Sequence, residues 1–545
     1  MTMGDTSSPP VLVIGAGPVG IVLACELLQQ GVPVRVVDRT ASVDETDPHS
    51  KGILIWPRSL ELLRRIGVSD RLVELGHKVP GVGYYSGRRL LGTAHIHRLR
   101  GSSDPYVLTL PQRYTERVLR ARLAELGGVV ERGVELVALD NSGEHPVAVL
   151  RHPDGTRETV TPRYLVGADG PASTTRNLLG IGFAGEAIDI TYVIGDAPLH
   201  GPVPRDTAQY YYSRTGVVAL VPLRSGVFRV AANIPHRAED AGDPPRELLE
   251  QVINERAVRG VRVGEPDWTR SFRPRLGMAD SMQQGRCFLA GDSAHAISPA
   301  GGQGMNVGFQ DAVNLAWKLG GVLNGRLAES VLMTYGAERL AGAHRMSRTS
   351  AAQARFAMQR KPLRIARRDA LFLAARASGL LTRVLVPLLS QTDNDYGGAE
   401  PVPLPLRNLK PARVGERVPL FAHAEPVDDP AALDRDRHTV VVWPGRGVPA
   451  NWAAAVAGVR AAVGDRLPVS DFAAVPRTPA LRKAFGRCPV VAVVRPDGHL
   501  SHLGDPTDLD GLRAHLARLM PEPRPTLPVP APDMPVRVLR PAAGG

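Results

Sequence analysis

Apolar positions along the chain fall into short runs separated by glycine, proline and polar residues, and the spacing inside each run predicts an element. Val11 to Ile14 is a short, wholly apolar run, the pattern of a strand covered on both faces. Gly15-Ala16-Gly17-Pro18-Val19-Gly20 follows, then Ile21 to Gln30 at helical spacing, stopped by Gly31. Val32 to Val37 is a second buried strand ending on Asp38, so the chain opens with a strand–helix–strand unit. Pro57 to Ile66 predicts a helix closed by Gly67. Gln112 to Leu126 predicts an amphipathic helix with Val118, Leu119, Leu123 and Leu126 on one side. Val147 to Val160 alternates about an Asp154-Gly155 turn, as a hairpin does, and Leu165 to Ala168 is another buried strand.

From about Gly185 to Pro274 the texture changes. Tyr210 to Ile234 alternates in blocks broken at Arg214-Thr-Gly and Arg224-Ser-Gly, which predicts an antiparallel sheet inserted into the α/β framework. Cys287 to Ala290 returns to the buried-strand pattern. Gly308 to Val322 has Ala312, Leu315, Ala316 and Leu319 at helical spacing. Glu400 to Pro419 is proline-rich and reads as a linker. Thr439 to Trp443, Trp452 to Val463, Val490 to Val494, the turn Arg495-Pro-Asp-Gly-His499 and Leu509 to Met520 then outline a small α/β domain. The proline-rich tail from Pro521 reads as poorly ordered.

Composition narrows the class. The 545 residues are enough for about three or four domains, and 43% hydrophobic with 22% charged residues excludes wholesale disorder. The net charge of +12 allows nucleic acid, a membrane surface or an anionic cofactor as partner. Arginine is spread along the whole chain and no nucleic-acid recognition module is present, so nucleic acid is not expected. The densest basic stretch, Arg355 to Arg368, reads as a solvated helix face. Three cysteines, Cys25, Cys287 and Cys488, cannot build a disulfide framework. No CxxC or Cys/His cluster suggests a metal. Met1 to Pro10 lacks an apolar signal core, and no apolar run of about 18 residues occurs, so no membrane contact is expected. The expectation is a soluble protein of the cytoplasm.

Three motifs carry chemistry. Gly15-x-Gly17-x-x-Gly20 lies between a strand and a helix. Gly15 permits the tight turn, Gly17 lets the backbone approach a pyrophosphate, and Gly20 permits close helix–strand packing, with Pro18 and Val19 at the helix start. Asp38 is placed to bond ribose hydroxyls. An acid there favours FAD or NAD over NADP, and Arg39 beside it is placed to stack on or neutralise the nucleotide. The second motif is Val166-Gly-Ala-Asp169-Gly-Pro-Ala-Ser173-Thr-Thr-Arg176. The third is Phe288-Leu-Ala-Gly291-Asp292-Ser-Ala-His295, followed by Pro299-Ala-Gly301-Gly302-Gln-Gly304-Met305-Asn306. In it a strand ends in an acid suited to a polyol, and a glycine-rich turn offers backbone N–H groups to an anionic ring edge. Only one full dinucleotide fingerprint is present, so a second nucleotide would bind briefly in a groove and leave.

Together these motifs resemble those of the class A flavoprotein monooxygenases, the para-hydroxybenzoate-hydroxylase-like family, and in particular its longer members that oxidise aromatic polyketides and related phenols. The resemblance implies an α/β fold: a Rossmann-like FAD-binding domain, an inserted mixed or antiparallel β-sheet substrate domain, and a C-terminal thioredoxin-like domain. The corresponding boundaries are 1–184 and 275–400 for the two parts of the FAD-binding domain with its helices, 185–274 for the sheet, 401–520 for the thioredoxin-like domain and 521–545 for the tail. It implies that Gly15, Gly17 and Gly20 hold the FAD pyrophosphate and Asp38 the adenosine ribose. Lys51 and Arg58 match basic positions near the flavin phosphates, although the family usually has Arg where this chain has Lys51, a point charge in place of a fork. Gln112 and Asp292 match residues on the ribityl chain, and Asp169 and Arg176 a motif touching FAD and NADPH. Gly291 belongs to the Asp292 motif, and Pro299 to Asn306 match the loop beside the isoalloxazine ring.

The implied activity is FAD-dependent oxygenation. NADPH or NADH reduces FAD, O2 adds at flavin C4a to give a hydroperoxide, and one oxygen passes to an aromatic or polyketide-type small molecule. Baeyer–Villiger insertion, epoxidation and a non-catalytic flavin-fold binder are the alternatives, and the intact motifs argue against the last. No acid or base stands out. Tyr210, Tyr211, Tyr212, Arg224 and His236 lie in the substrate sheet, and His295 reads as structural. The low aromatic count predicts a pocket lined mostly by aliphatic side chains. Cys488 reads as packed, Pro489 occupies the place where thioredoxin-like folds often have a cis-proline, and the chain is expected as monomer or homodimer.

Overall fold

The computed structural model describes residues 10–44, 47, 49, 52–185, 190–235, 243–274, 276–299, 301–397, 412–418 and 433–521. Lys51, His236, most of the proline-rich 400–419 stretch and the tail after Pro521 lie outside the described residues.

The nucleotide-binding half is built on a six-stranded sheet. Its order is Gln283–Gln284, Cys287–Leu289, Tyr164–Gly167, Val11–Ile14, Val34–Asp38, Val130–Arg132, and all but the first strand run parallel. Val11–Ile14 lies in the middle and is buried at every position, the reason its sequence is an unbroken apolar run. The helix after it begins at Pro18, earlier than the apolar spacing alone indicates, because proline at the first helical position needs no N–H partner. The long helix Gly304–Leu323 also starts early. Its first turn contains Gly304 and Asn306, poor helix formers, and Asn306 is held by tertiary hydrogen bonds that sequence spacing does not contain.

The second sheet has eight strands, and two come from an unexpected place. The hairpin Gly81–Ser86 and Arg89–His95 joins its edge, with Gly81–Ser86 running parallel to Ala208–Tyr212. The strands Ile190–His200, Val217–Pro222 and Val227–Pro235 make the antiparallel centre. The sheet is therefore closed across more than 100 residues of intervening chain, a pairing that no local pattern announces.

The C-terminal sheet has the order Val469–Asp471, Thr439–Trp443, Val490–Val494, Leu500–Gly504. The first pair is parallel and the others antiparallel, with helices Trp452–Val463, Pro479–Phe485 and Leu509–Leu519 between and after. This is the strand order of thioredoxin-like folds. Two details differ from expectation. The structure contains no cis peptide among the described residues, so Pro489 is trans. Cys488 is exposed, because it sits in the loop before the strand while Val491 and Val493 fill the core. The apolar core is shared with the nucleotide-binding half: Val440, Val442, Trp452 and Leu516 belong to the same cluster as Val11 and Leu315.

The basic stretch divides. Arg355, Arg360, Lys361, Arg364 and Arg367 are exposed, as a solvated face should be. Arg368 is not. It is 3% exposed, donates to Ser86 Oγ at 2.8 Å and lies 5.1 Å from the Tyr212 ring, tying the helix Pro362–Ala377 to the hairpin. Among the described residues no single helix is long and apolar enough to cross a membrane.

Buried histidines contribute to the acid response, and two illustrate it. Burial holds His438 down to about 3 and His499 to about 4, against 6.5 when exposed. Below pH 6.5 the unfolded chain binds these protons and the folded chain does not. Stability therefore falls with falling pH until the folded values are reached, by about 1.4 kcal/mol per pH unit for each histidine. The thermal midpoint should drop between pH 7 and pH 5, and His438→Asn should flatten that slope in melts at both pH values.

Candidate active site

The first glycine turn is held by contacts that exclude side chains. Gly15 has φ +104°, and a Cβ there would lie 2.4 Å from the Ala168 carbonyl oxygen. A Cβ on Gly20 would lie 2.1 Å from the Gly15 oxygen. At Gly17 the same test meets nothing within 4 Å, so this backbone faces open space. Asp38 braces the turn from the neighbouring strand: Oδ2 accepts the Ala16 N–H at 2.7 Å and Oδ1 accepts the Thr40 N–H at 2.8 Å. Arg39 is exposed beside it.

A cavity of about 610 Å³ begins at this turn. Gly17, Pro18, Val19, Gln112, Asp292, Pro299 and Gly301 to Met305 line it, together with residues of the second sheet. Gln112 is oriented by accepting the Gly52 N–H at 3.1 Å and donating to Glu116 at 2.8 Å. The open Gly17 backbone at a helix N-terminus, an acid and an amide midway, and a glycine turn at the far end match the polar sequence of FAD: pyrophosphate, ribityl chain, ring. The residues present fit that cofactor.

Other predicted site residues support the cavity from behind. Asp169 accepts from Ser173 Oγ at 2.5 Å and the Thr175 N–H at 2.9 Å, capping a short helix, so that Gly170 and Pro171 line the cavity in its place. Arg176 donates to the carbonyls of Ser293 at 2.9 Å and Pro171 at 3.0 Å and covers the Phe183 ring at 3.9 Å, which joins the second and third motifs. Gly291 donates its N–H to Asp311 at 3.0 Å. Asn306 accepts the Trp56 N–H at 2.9 Å and donates to the Leu54 and Gly302 carbonyls, both at 2.9 Å. His295 is fully buried against Asp311 at 2.6 Å. Burial pushes the Asp311 carboxyl up, but His295 and Arg339 together hold it below its ordinary value.

Arg58 is not at the flavin end. It is 2% exposed, outside the cavity, and donates to Glu61 at 3.2 Å and to the Asp497 carbonyl at 2.6 Å, because its helix turns that side toward the C-terminal sheet.

The cavity lining is mostly aliphatic, as expected, with six aromatic side chains in it: Trp56, Tyr84, Tyr192, Tyr210, Tyr212 and Phe272. Strand alternation explains the selection: Tyr210 and Tyr212 face the cavity, while Tyr211 points to the other side and stacks on Tyr85 at 4.5 Å. Arg224 lies outside the lining and donates to the Glu74 carbonyl. Burial keeps these phenols protonated. Tyr210 is pushed up to about 12 by burial, partly offset by a hydrogen bond from the Gly301 backbone. Sequence reasoning missed Tyr84, Tyr192, Phe272 and Arg229. Arg229 is paired with buried Asp196, which also accepts from Trp268 Nε1 at 3.0 Å.

A dinucleotide cradle opening into an aromatic chamber defines a flavin-binding oxygenase-type fold, and the FAD binding domain family matches residues 8–350; the chain belongs to that family. It is 40% identical over 360 residues to 6-methylpretetramide 4-monooxygenase of Streptomyces rimosus, which is 65% of this chain and 63% of that protein, less than two thirds of its length. It is 36% identical over 334 residues to rifampicin monooxygenase of Streptomyces venezuelae, 60% of this chain and 67% of that one. The fold likeness is longer. Anhydrotetracycline hydroxylase from Streptomyces rimosus superposes with a TM-score of 0.71 at 28% identity, covering 94% of this chain and 99% of that one. Aklavinone-11 hydroxylase, solved with FAD and aklavinone, gives 0.70 at 26% identity over 95% and 99%.

The glycine geometry yields a paired prediction. Gly15→Ala should cost about 1–3 kcal/mol of stability through strain and collision. Gly17→Ala should change stability by under about 0.5 kcal/mol yet weaken FAD binding, since only the ligand side is open. Thermal melts and FAD titration of both variants separate the two effects.

Proposed function

We propose that the protein is an FAD-dependent monooxygenase that uses NADPH or NADH and O2 to hydroxylate an aromatic, polyketide-type small molecule. The observation that carries this reading is the continuity of the cavity: the space that fits the flavin opens without a partition into the tyrosine-lined chamber. The names of the relatives, oxygenases of tetracycline-type and rifamycin-type compounds, support the substrate class.

Gly17 to Val19 would hold the pyrophosphate, Asp38 the ribose, Gln112 and Asp292 the ribityl chain, and Gly301 to Met305 the ring. Once reduced by the nicotinamide, FAD supplies the activation of dioxygen for transfer to an electron-rich carbon. The chain's own residues supply the surroundings. Val79, Val82, Val107 and Ile194 exclude water, which protects reactive oxygen species from loss. Tyr84 and Tyr210, stacked on each other at 5.9 Å, form a rigid aromatic pair in the lining that would help orient a fused aromatic substrate. The Tyr210 hydroxyl meets the Gly301 backbone, so the substrate wall and the flavin-side loop touch at one point. Protonated at neutral pH, Tyr210 is a donor available to a substrate oxygen and not a general base.

The test is the visible absorption spectrum of the purified protein before and after anaerobic NADPH. A flavin spectrum that bleaches, slowly without substrate, supports the reading; a colourless protein that FAD cannot reconstitute overturns it. With substrate, Tyr210→Phe should lower the fraction of NADPH oxidation that gives product by about fivefold to tenfold, the worth of one hydrogen bond. Peroxide release measured beside product reads this directly.

A further inference from the structure

The turn Arg495-Pro496-Asp497-Gly498-His499 links two strands of the C-terminal sheet and enters the nucleotide-binding half. Asp497 at its tip is 3% exposed. Two carbonyls of this turn take hydrogen bonds from the helix Pro57–Arg65: Pro496 from Arg65 at 2.7 Å and Asp497 from Arg58 at 2.6 Å. The Asp497 carboxylate takes hydrogen bonds from the long helix Gly304–Leu323: Asn314 at 3.3 Å and Trp317 Nε1 at 3.2 Å. Arg495 donates to the same carboxylate at 2.6 and 3.1 Å, and to Glu338 at 2.8 and 2.9 Å. One turn thus bonds both helices at once.

Those helices carry the ring end of the cavity at their N-termini. Trp56 precedes the first, and Gly301 to Met305 open the second. The two ends are joined by the Trp56 N–H on Asn306 and by Trp56 Nε1 on the Gly301 carbonyl at 3.1 Å. A third arm starts at His499, whose ring lies 4.3 Å from that of Tyr396. Arg339 bonds the Tyr396 hydroxyl at 2.7 Å and Asp311 at 2.7 Å, and Asp311 takes the Gly291 N–H next to Asp292. All three arms converge on segments that line the flavin space, and all start from the same turn.

We infer that Asp497 is a positioning residue for the flavin site: it sets the spacing of the two helices that present Trp56 and the Gly301–Met305 loop to the ring. Apolar contact already holds the two halves together through Val440, Val442 and Trp452. The directional bonds at Asp497 add a defined spacing, which apolar contact alone does not supply. The C-terminal sheet, which lacks a dithiol, acts here as a brace. This inference rests on the flavin reading above.

The experiment is FAD titration of full-length wild type, Asp497→Ala, Asp497→Asn and Phe472→Leu, with thermal melts of each apoprotein. Phe472 is buried in the C-terminal apolar core, forms none of the hydrogen bonds described above, and reports destabilisation of that core. Asp497→Ala should raise the FAD Kd at least tenfold, about 1.4 kcal/mol, and Asp497→Asn, which keeps acceptor oxygen, about threefold. Phe472→Leu should stay within twofold although it melts earlier. FAD affinity within twofold of wild type for Asp497→Ala, or an equal loss in Phe472→Leu, overturns the proposal. If Asp497→Ala does not fold, Asp497→Asn decides, and affinity equal to wild type overturns it. Wild type that binds no FAD would instead overturn the flavin reading itself.

Discussion

The contact between the first helix and the ends of two neighbouring strands is the constraint on which the rest depends. Gly15 and Gly20 leave out two Cβ atoms that would otherwise sit on carbonyl oxygens at 2.4 and 2.1 Å. Without that approach the helix could not direct its N-terminal N–H groups at the cavity beginning at Gly17. Asp38, tied to the Ala16 N–H, then stands at a fixed place beside the turn. The long helix packs against the first helix, and a Cβ on Gly308 would meet Val19 at 2.5 Å, so the ring end of the cavity is registered to the phosphate end by the same close packing.

Much of the polar apparatus braces the site without lining it. Asp169 caps the short helix behind the cavity, while Arg176, Asp311 and Asn306 bond backbone groups in or beside the loops that line it. Buried polar groups of this kind must be satisfied, and satisfied ones specify one loop geometry. The braced loops leave Gly170, Asp292 and Gly301 to Met305 lining the cavity, and the Tyr210 hydroxyl meets the Gly301 backbone where the loop adjoins the second sheet.

The alternation of strands and helices, the glycine cradle and several of the C-terminal elements were legible because each rests on local spacing. What was not legible depends on partners distant in the chain. Arg58 reads like a phosphate ligand until its helix is seen to face Asp497, 439 residues away. Tyr84 carries no local sign of a site until its hairpin pairs with Ala208–Tyr212. Arg368 looks like part of a solvated basic run because the Tyr212 ring it covers comes from another strand. The low aromatic total agrees with the mostly aliphatic lining, but composition does not say that six aromatic residues gather there.

A crystal structure of the protein with bound FAD tests the central claim most directly. The expected result is the pyrophosphate at Gly17 to Val19 and the isoalloxazine ring between the Gly301–Met305 loop and the chamber lined by Tyr84 and Tyr210. A ring found outside that cavity, or a pyrophosphate bound away from the first glycine turn, would contradict it.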